Sequence, residues 1–442
     1  MNPMAGESFT INPTDRIDGT IRVPGDKSIS HRALMLGAIA TGTSEISGFL
    51  AGEDCLATLA ALRAMGVDIE HPEETRVTVH GVGLHGLHQA PAALDLGNSG
   101  TSTRLFMGLL AGQPFPTTLV GDESLSRRPM ERVAGPLRRM GATVRTTDGK
   151  PPVTTGGSRD RLSGIHFDMP VASAQVKSAI LLAGLYADGE TSVTEPAVSR
   201  DHTERMLEYL GCPVARRGMT VAVAGGSSLD GAPIPVPGDL SSAAFLVLAA
   251  CVARRGRLVI DGVGLNPTRT GILEILHLMG AKIRIETESG SAGEPVGRLI
   301  VDPCQLRGID IPPALVPLAI DEFPVIFLAA ALASGDTTVS GAAELRHKES
   351  DRIHVMAEGL KALGIAVEEL PDGARIRGGQ LRGGTIDSQG DHRVAMSFAV
   401  GASCASGPVT ILDTANVATS FPRFPDLARS IGLDITTGPG RG

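Results

Sequence analysis

Six stretches of this chain repeat one pattern of apolar and polar residues. In each stretch, leucines and methionines recur at helical spacing up to a glycine, and beyond it apolar and polar residues alternate. A glycine at this point is typical of a helix C-cap, because it adopts the left-handed backbone conformation without steric cost. The glycines are Gly66, Gly141, Gly211, Gly280, Gly364 and Gly432, separated by 75, 70, 69, 84 and 68 residues. The pattern therefore predicts a repeated unit in which a helix ends at a glycine and continues into a strand.

Each repeat also contains a second helix, which is apolar on every side. The longest apolar runs, at residues 243 to 253 and 323 to 333, belong to such helices. Because a surface helix would show a polar face, we predict that these helices are buried. Their polar openings should then lie at helix N-termini, where the helix dipole favours anions. The six openings read PGDKSISHRALMLG, LGNSGTSTRLFMG, PVASAQVKSAILLAG, VPGDLSSAAFLVLAA, LAIDEFPVIFLAAA and SQGDHRVAMSFAVG.

The repeat predicts an α/β fold with two domains, each of three repeated α/β units with buried parallel helices and outer sheets. We place the first domain at residues 24–236 and the second at residues 1–23 plus 237–442, because proline and glycine interrupt the pattern near both boundaries. The N-terminal strand then joins the second domain. Helix N-termini from both domains would concentrate positive potential, so we expect the active site in the cleft between the domains.

The composition argues against several classes of function. A net charge of −8 with 3% aromatic residues opposes nucleic-acid binding, which needs a basic face and stacking side chains. The apolar runs are about half a membrane span, and the first residues lack a signal-peptide pattern, so we expect a cytoplasmic protein with no membrane partner. Successive cysteines are at least 39 residues apart, which predicts reduced thiols rather than a metal site.

Two local motifs resemble known binding sites but lack features that those sites need. GVGLHG at residues 81 to 86 matches the glycine pattern of a dinucleotide site, but no helix follows it to bind a pyrophosphate. His80, His85 and His88 lie close in sequence without a carboxylate or cysteine at ligand spacing. We therefore predict neither a dinucleotide site nor a metal site.

The helix openings of the first domain carry candidate anion-binding groups. Lys27, Ser28 and Arg32 lie in the first turns of one helix and could face one phosphate or carboxylate. Gly100 would let a backbone amide approach a ligand closely. Further candidates in this domain are Arg128, Ser173 and Gln175. Taken singly, the motifs that carry Gly100, Arg128, Ser173 and Gln175 are easily explained by a turn, helix capping or a solvated surface, whereas two cations at the opening of a buried helix are not.

The second domain offers an acid among cations. Lys348 and Arg352 are predicted on one helical face, at positions i and i+4, with Glu349 beside them, although a surface ion pair would look the same. Asp321 opens an apolar helix, where an N-cap is the default explanation. Arg393 follows another helix start, where capping explains the neighbouring Asp391 but not the adjacent cation. The alternative for the whole repeat is a structural scaffold without a functional site. In a scaffold, the residues at the helix starts would be interchangeable.

Six segments, in their order along the chain, resemble the signature segments of the 5-enolpyruvylshikimate-3-phosphate synthase family. They read PGDKSISHRALML, LGNSGTSTRL, PVASAQVKSA, ELRHKESDR, GDHRVAMSF and ATSFPRF. The resemblance spans nearly the whole chain and implies the enolpyruvyl transferase fold. It implies a transferase of aromatic amino-acid biosynthesis, in the shikimate pathway, which moves the enolpyruvyl group of phosphoenolpyruvate to the 5-hydroxyl of shikimate 3-phosphate and releases phosphate. It implies no cofactor and no metal.

The resemblance also implies site residues. Shikimate 3-phosphate would be held by Lys27, Ser28, Arg32, Ser173, Gln175, Arg200, Asp321 and Lys348. Phosphoenolpyruvate would be held by Lys27, Gly100, Arg128, Gln175, Arg352 and Arg393. The substrates together carry about −5 to −6 charges, which the seven cations of these two sets would balance. Asp321 is implied as the base at the hydroxyl, and Lys27 and Glu349 are candidates for proton delivery.

Three positions depart from much of the family. Leu105, Glu344 and Thr419 resemble the subclass known for glyphosate tolerance, and the residue that replaces the family lysine at Thr419 stays open. Gly100 points the other way, because tolerant members often carry alanine there. We expect the native enzyme to be inhibited by glyphosate in competition with phosphoenolpyruvate.

Two alternatives of function stay open at this point. The sister enolpyruvyl transferase that acts on UDP-N-acetylglucosamine shares the fold but uses a mobile-loop cysteine, and residues 112 to 130 contain none. The other alternative is a non-catalytic anion-binding repeat protein, which would bind ligands without turnover. We expect a monomer whose partners are its two small-molecule substrates.

Overall fold

The computed structural model describes residues 7–158 and 160–439, apart from the side chains of residues 289 and 291. The chain forms two compact units. Unit 1 contains the segment up to Pro24, Gly238–Ser289 and the segment from Pro295 onward, and unit 2 contains Gly25–Pro237 with Gly290–Glu294. The last segment differs from the sequence-based boundaries, because the buried carboxylate of Glu294 lies 2.6 Å from Nδ1 of His202 and so ties the segment to unit 2.

Helices and short groups of strands follow one another along the described chain. The α-helices are α1 (Lys27–Ile39), α2 (Glu53–Ala64), α3 (Gly100–Ala111), α4 (Glu123–Ser126), α5 (Glu131–Arg139), α6 (Ala174–Gly184), α7 (His202–Tyr209), α8 (Leu240–Val252), α9 (Gly271–Leu278), α10 (Phe323–Leu332), α11 (Arg352–Ala362), α12 (His392–Ala402) and α13 (Phe424–Ser430). Short 3-10 helices cover Pro313–Leu315, Pro317–Ala319, Ala343–His347 and Ala415–Thr419.

The strands are short and mostly belong to sheets of four. They are β1 (Glu7–Asn12), β2 (Gly19–Ile21), β3 (Thr41–Ser47), β4 (Asp68–Glu73), β5 (Arg76–Val82), β6 (Leu94–Asp95), β7 (Pro116–Val120), β8 (Val144–Thr147), β9 (Lys150–Gly156), β10 (Leu162–Ser163), β11 (His166–Asp168), β12 (Ala187–Asp188), β13 (Glu190–Thr194), β14 (Val214–Arg217), β15 (Thr220–Ala224), β16 (Ile234–Pro235), β17 (Leu258–Gly264), β18 (Lys282–Ser291), β19 (Glu294–Asp302), β20 (Asp336–Val339), β21 (Ala366–Leu370), β22 (Gly373–Arg377), β23 (Gly384–Asp387), β24 (Val409–Leu412) and β25 (Asp434–Pro439).

The sheets repeat one topology. In unit 2 the strand orders are β16-β3-β5-β4, β6-β7-β9-β8 and β11-β13-β15-β14, and in each the first pair is parallel and the next two are antiparallel. In unit 1 the orders are β18-β19-β17-β2, β20-β22-β21 and β23-β24-β1-β25. The N-terminal strand β1 lies between β24 and β25. The predicted repeat of α/β units is confirmed within the described residues.

The six glycines that defined the repeat all adopt positive φ. Their φ angles lie between 87° and 104°, and each glycine directly follows the C-cap of α2, α5, α7, α9, α11 or α13. A side chain with a Cβ atom is strained in this conformation, so glycine ends these helices for a steric reason. The second helix of each repeat is the buried one. These buried helices are α1, α3 and α6 in unit 2 and α8, α10 and α12 in unit 1.

Neither a membrane span nor a metal cluster is found in the described part of the chain. Over residues 7–158 and 160–439, no helix is long and apolar enough to cross a membrane. Over the same residues, no group of three or more His, Cys, Asp or Glu side chains could hold a metal ion. All five cysteines are free thiols, of which Cys304 and Cys404 are partly exposed.

Candidate active site

Lys27 is the first residue of α1 and is held by a buried acid. Asp26 caps the helix, and its Oδ1 accepts a hydrogen bond from the Ile29 amide at 2.9 Å. The Nζ atom of Lys27 forms an ion pair with Asp54, whose side chain is 6% exposed. Ser28, in the same turn, is partly exposed. The opening of α1 therefore presents an oriented ammonium group next to a hydroxyl.

Arg32 lies one turn further along α1 and connects it to two other helices. Its Nε donates to Thr203 Oγ1 at 2.7 Å, and its Nη2 donates to Ser178 Oγ at 2.9 Å. Its Nη1 donates to the carbonyl oxygen of Ser28 at 2.9 Å. Burial lowers the pKa of Arg32 to about 10, so the guanidinium is still charged at neutral pH. Arg32 is thus a buried cation that fixes α1 against α6 and α7.

Gly100, the first residue of α3, packs against two guanidinium groups. A Cβ atom built on Gly100 would lie 2.8 Å from Nη1 of Arg128 and 2.9 Å from Nη1 of Arg104. Arg128 is oriented by Asn98, whose Oδ1 accepts from Nη2 at 2.8 Å. Its Nη2 also lies 3.4 Å from Ser124 Oγ. Any side chain at this position would meet the ends of both arginine side chains, so one or both guanidinium groups would have to shift.

Gln175, in the first turn of α6, is held by residues of α3. Its Oε1 accepts from Arg104 Nη1 at 2.7 Å, and its Nε2 donates to Thr101 Oγ1 at 2.9 Å. Ser173 caps α6, and its Oγ accepts from the Val176 amide at 3.5 Å. These contacts join the openings of α3 and α6 into one polar surface.

Arg200 lies in the loop before α7, and a buried ion network anchors this loop. Lys177 Nζ lies 2.6 Å from Glu195 Oε2 and 2.7 Å from Glu204 Oε1. Ser199, next to Arg200, donates a hydrogen bond to Glu195. Burial by itself lowers the pKa of Lys177, but the two carboxylates outweigh burial and raise it. The charged lysine therefore holds both ends of the loop that carries Arg200.

His31 lies between the openings of α1 and α3 and is fully buried. Its Nδ1 is 2.9 Å from Thr58 Oγ1 and 3.2 Å from Ser102 Oγ. Its Nε2 has no hydrogen-bond partner in the described part of the chain. Burial, and then the charges of Lys27 and Arg32, hold the pKa of His31 well below its ordinary value. The ring is therefore neutral at pH 7 and links two openings without adding charge.

Asp321 does not cap α10, contrary to the default explanation from the sequence. The helix begins at Phe323, because Pro324 lacks an amide hydrogen and favours a helix start, and Glu322 is the N-cap. The carboxylate of Asp321 faces two cations: Oδ1 lies 3.3 Å from Lys348 Nζ and 3.6 Å from Arg352 Nη1. Its side chain is 16% exposed. Asp321 is thus an accessible acid whose position has no capping role.

Lys348 and Arg352 do not lie on one helical face, so that prediction is wrong. The helix α11 begins only at Arg352, because Asp351 is its N-cap and accepts from the His354 amide at 3.1 Å. Lys348 precedes this cap with an extended backbone, at φ −88° and ψ −151°. Both cations nevertheless reach Asp321, since the tertiary fold brings α10 beside them.

Arg352 is fully buried among carboxylates. Its Nε lies 2.8 Å from Asp391 Oδ2, and its Nη2 lies 2.6 Å from Glu349 Oε2. Burial by itself lowers the pKa of Arg352, but Asp391 and then Glu349 outweigh burial and raise it. Burial likewise raises the pKa of Asp391, and the charge of Arg352 outweighs it so that the net shift is downward. Both partners are therefore ionised at neutral pH.

Arg393, the second residue of α12, completes this group. Its Nη1 donates to the carbonyl oxygen of Asp321 at 3.1 Å and lies 3.8 Å from Glu322 Oε1. Asp391 caps α12, as predicted, by accepting from the Arg393 amide at 2.9 Å. The segment that carries the candidate base is thus attached to the opening of α12.

The candidate residues form two groups, one in each unit. The unit 2 cluster consists of Lys27, Ser28, Arg32, Gly100, Arg128, Ser173, Gln175 and Arg200. The unit 1 cluster consists of Asp321, Lys348, Glu349, Arg352 and Arg393.

Three residues that orient these clusters were absent from the sequence-based set. Asp54 is the second residue of α2, where an acid is ordinarily explained by the helix dipole. Arg104 lies one turn beyond Gly100 on the otherwise buried α3, and a cation at such a position was the available signal. Asp391 was interpreted only as a cap, whereas it also binds Arg352. A local pattern does not show which residues of other elements a side chain meets.

The comparisons with known proteins agree in one description. The sequence model of the EPSP synthase (3-phosphoshikimate 1-carboxyvinyltransferase) family matches residues 11–427. A 3-phosphoshikimate 1-carboxyvinyltransferase from Methylococcus capsulatus is 59% identical, over 97% of this chain and 98% of the relative. Another from Alkalilimnicola ehrlichii is 57% identical, over 98% of each chain.

Solved structures extend the comparison to the fold. An EPSP synthase from Acinetobacter baumannii superposes with a TM-score of 0.87 at 52% identity, covering 98% of this chain and 100% of that one. The enolpyruvyl transferase NikO from Streptomyces tendae gives a TM-score of 0.80 at 19% identity, covering 99% of each chain, which is a likeness of fold alone.

Proposed function

The chain belongs to the EPSP synthase (3-phosphoshikimate 1-carboxyvinyltransferase) family, and on that premise we propose how its two clusters transfer the enolpyruvyl group of phosphoenolpyruvate to the 5-hydroxyl of shikimate 3-phosphate. The chain is a transferase of the shikimate pathway with the enolpyruvyl transferase fold, and these predictions are confirmed. The roles of individual residues, the location of the active site and the assembly state are proposals.

The observation that carries the mechanism is the placement of Asp321. Its carboxylate is accessible, it has no capping role, and it lies 3.3 Å from Lys348 Nζ. A carboxylate beside two cations is ionised and can accept a proton. Asp321 therefore serves as the base that removes the proton from the 5-hydroxyl of shikimate 3-phosphate as this oxygen attacks.

The reaction also needs a proton at the methylene carbon of phosphoenolpyruvate. Lys27 and Glu349 are the candidates to deliver it, since each is partly exposed beside a charged partner, Asp54 and Arg352 respectively. Protonation makes the adjacent carbon electrophilic, and the 5-hydroxyl oxygen bonds to it. The carbon–oxygen bond to phosphate then breaks, phosphate leaves with the electron pair, and a proton lost from the new methyl group restores the enol ether.

Shikimate 3-phosphate is proposed to lie against the openings of α1 and α6 and the loop before α7. Ser28, Ser173 and Gln175 offer hydrogen bonds, and Lys27, Arg32, Arg200 and Lys348 offer positive charge. Arg32 already donates three hydrogen bonds to protein atoms, so its contribution is mainly electrostatic and positional.

Phosphoenolpyruvate is proposed to lie against Gly100 and Arg128. The absence of a side chain at Gly100 leaves the Arg128 guanidinium in place, and arginine binds phosphate or carboxylate through paired hydrogen bonds. Arg352 and Arg393 of the unit 1 cluster would neutralise phosphate as it departs. In this proposal each substrate draws on residues of both units.

One assay distinguishes the proposed activity from the two alternatives, the sister transferase and a non-catalytic anion-binding protein. We expect inorganic phosphate to be released from phosphoenolpyruvate only when shikimate 3-phosphate is also present. Release that depends on UDP-N-acetylglucosamine instead would favour the sister activity. Binding of both ligands without release would favour an anion-binding protein.

We also propose a cytoplasmic monomer. All candidate side chains come from one chain, so a second copy is not needed to complete the clusters. The five free thiols suit a reducing compartment. Sedimentation at micromolar concentration would test the monomer, and a concentration-independent dimer would contradict it.

A further inference from the structure

A cavity of about 580 Å³ lies in unit 1 at the C-terminal end of α8. Its lining includes Cys304, Cys404 and Arg254. Ser241, at the other end of α8, donates to Glu322 beside the unit 1 cluster. Ten residues of helix, or about 15 Å, separate Ser241 from Cys251 in the last turn. The cavity is therefore a feature separate from the candidate catalytic groups, although its size suits a small ligand.

Two thiols of the cavity lining converge on the end of α8. The Sγ atom of Cys304 lies 3.5 Å from the carbonyl oxygen of Cys251, and the Sγ atom of Cys404 lies 3.3 Å from that of Val252. Cys304 and Cys404 are partly exposed, whereas Cys251 is buried. A reagent in the cavity can therefore reach either of two thiols, with a third thiol behind them.

Cys251 and Cys304 are close enough for a disulfide bond. The Cys304 amide donates to the Cys251 carbonyl oxygen at 2.8 Å. With standard backbone dimensions, this bond limits the distance between the two Cα atoms to at most about 6.7 Å. Disulfides bridge Cα atoms that are about 4.4 to 6.8 Å apart. The backbone hydrogen bond therefore keeps the two Cα atoms below the upper limit for a disulfide.

The two exposed thiols differ in their chemistry. A hydrogen bond from the Cys251 thiol lowers the pKa of Cys304, and the backbone amide and charge of Lys282 add to the shift against burial. The same hydrogen bond and burial raise the pKa of Cys251. Burial also raises the pKa of Cys404. Because the thiolate is the nucleophile, Cys304 is the reactive member of the pair in the lining.

We propose that Cys304 is a modification site for low-molecular-weight disulfides, with Cys251 as the resolving thiol. The Cys304 thiolate attacks one sulfur of the small disulfide, whose sulfur–sulfur bond breaks and releases one thiolate. Cys251, after losing its proton to solvent, attacks the Cys304 sulfur and releases the second thiolate. The two cysteines are oxidised to one disulfide while the reagent is reduced to two thiols.

Peptide mapping after treatment with oxidised glutathione tests the proposal on the full chain. Each of the five cysteines falls on a separate tryptic peptide, with Cys251 in 218–254, Cys304 in 299–307 and Cys404 in 394–423. After alkylation of residual thiols, the wild-type protein should yield the cross-linked pair 218–254 and 299–307. Dithiothreitol should restore both thiols.

Variants assign the two roles. Cys251→Ala should accumulate glutathione on peptide 299–307, because the resolving thiol is missing, and Cys304→Ser should form neither adduct nor cross-link at that peptide. Cys404→Ser is the matched control, since Cys404 lines the same cavity, and it should oxidise like the wild type. Glutathione on peptide 394–423 in the wild type, or no adduct on Cys304 in Cys251→Ala, overturns the proposal.

Alkylation rates give a second readout that a failed fold cannot mimic. The ordinary pKa of a cysteine thiol is about 8.5. As the pH falls from 8.5 to 7, the rate of alkylation by iodoacetamide should persist at Cys304, whereas the rate at Cys404 should fall roughly tenfold per pH unit. Equal pH profiles at the two thiols would contradict the assigned nucleophile.

Discussion

The two clusters hold their cations in different ways. In the unit 2 cluster, the hydrogen bonds described for Arg32 and Arg128 go to hydroxyl, amide and carbonyl oxygens. In the unit 1 cluster, Lys348 and Arg352 contact carboxylates, and Arg352 alone meets Asp321, Glu349 and Asp391.

This difference separates two tasks that the reaction requires. Neutral oxygens fix the direction of a guanidinium without cancelling its charge, so the bonds described for Arg32 and Arg128 leave their charge to attract anionic substrates, although Lys27 of the same cluster pairs with Asp54. Carboxylates beside cations stay ionised, so their oxygens are available to accept a proton. Of the proposed proton-transfer groups, Asp321 and Glu349 belong to the unit 1 cluster, and Lys27 belongs to the unit 2 cluster.

The largest effect should come from removing the proposed base. Asp321→Asn keeps the size of the side chain but cannot accept a proton, so turnover should fall by about two to four orders of magnitude. Dissociation constants for both substrates, measured by calorimetry, should change little. Asp351→Asn is the matched control, since asparagine caps a helix as well as aspartate. Near-normal turnover in Asp321→Asn would reduce Asp321 to a structural residue.

The second effect contrasts the stability of the two clusters. Arg352→Ala leaves Asp391 buried with an uncompensated charge and should reduce the free energy of unfolding by about 3–5 kcal/mol. The two bonds described for Arg128 go to neutral oxygens. Arg128→Ala should therefore reduce the free energy of unfolding by about 0.5–1.5 kcal/mol for each of these bonds, and it should raise the KM for phosphoenolpyruvate. Urea denaturation of both variants gives the comparison. Equal losses would remove the distinction between the clusters.

The third effect is a pH dependence located in unit 2. The pKa of His31 is lowered in the folded protein, so the unfolded chain binds a proton first as pH falls below about 6.5. Stability should therefore be full above this pH and decline below it, by at most about 1.4 kcal/mol per pH unit. Between pH 7.5 and 5, the midpoint of urea denaturation should fall less in His31→Asn than in the wild type. His354→Asn, at an exposed position, should behave like the wild type.

The smallest effect concerns the packing of Gly100. A methyl group there would meet the Arg128 and Arg104 guanidinium groups at 2.8 and 2.9 Å, so both must shift. We expect Gly100→Ala to raise the inhibition constant for glyphosate by about tenfold or more, equivalent to about 1.4 kcal/mol, and the KM for phosphoenolpyruvate by a smaller factor. Inhibition kinetics on the native protein and on Gly100→Ala test this prediction. Equal factors, or a native enzyme indifferent to glyphosate, would contradict the steric argument.

The repeated architecture was readable from the sequence because its signals are local. Gly66 and its five counterparts end helices through their own backbone conformation. The burial of the apolar helices can be predicted because these helices lack a polar face. Four of the six motif segments, PGDKSISHRALML, LGNSGTSTRL, PVASAQVKSA and GDHRVAMSF, likewise lie at helix openings that the pattern predicts. These features need only neighbouring residues, so the sequence determines the repeat and the fold class, whereas the proposed site residues come from the resemblance of longer segments to a family.

Tertiary structure alone decided what the candidate side chains contact. Asp321 was expected to cap a helix, yet packing turns it toward Lys348 and Arg352, and Asp391 doubles as a partner for Arg352. The pairing of Lys27 with Asp54 joins residues of different elements. Such contacts depend on how elements pack rather than on spacing along the chain, because electrostatic and hydrogen-bond energies follow distance in space.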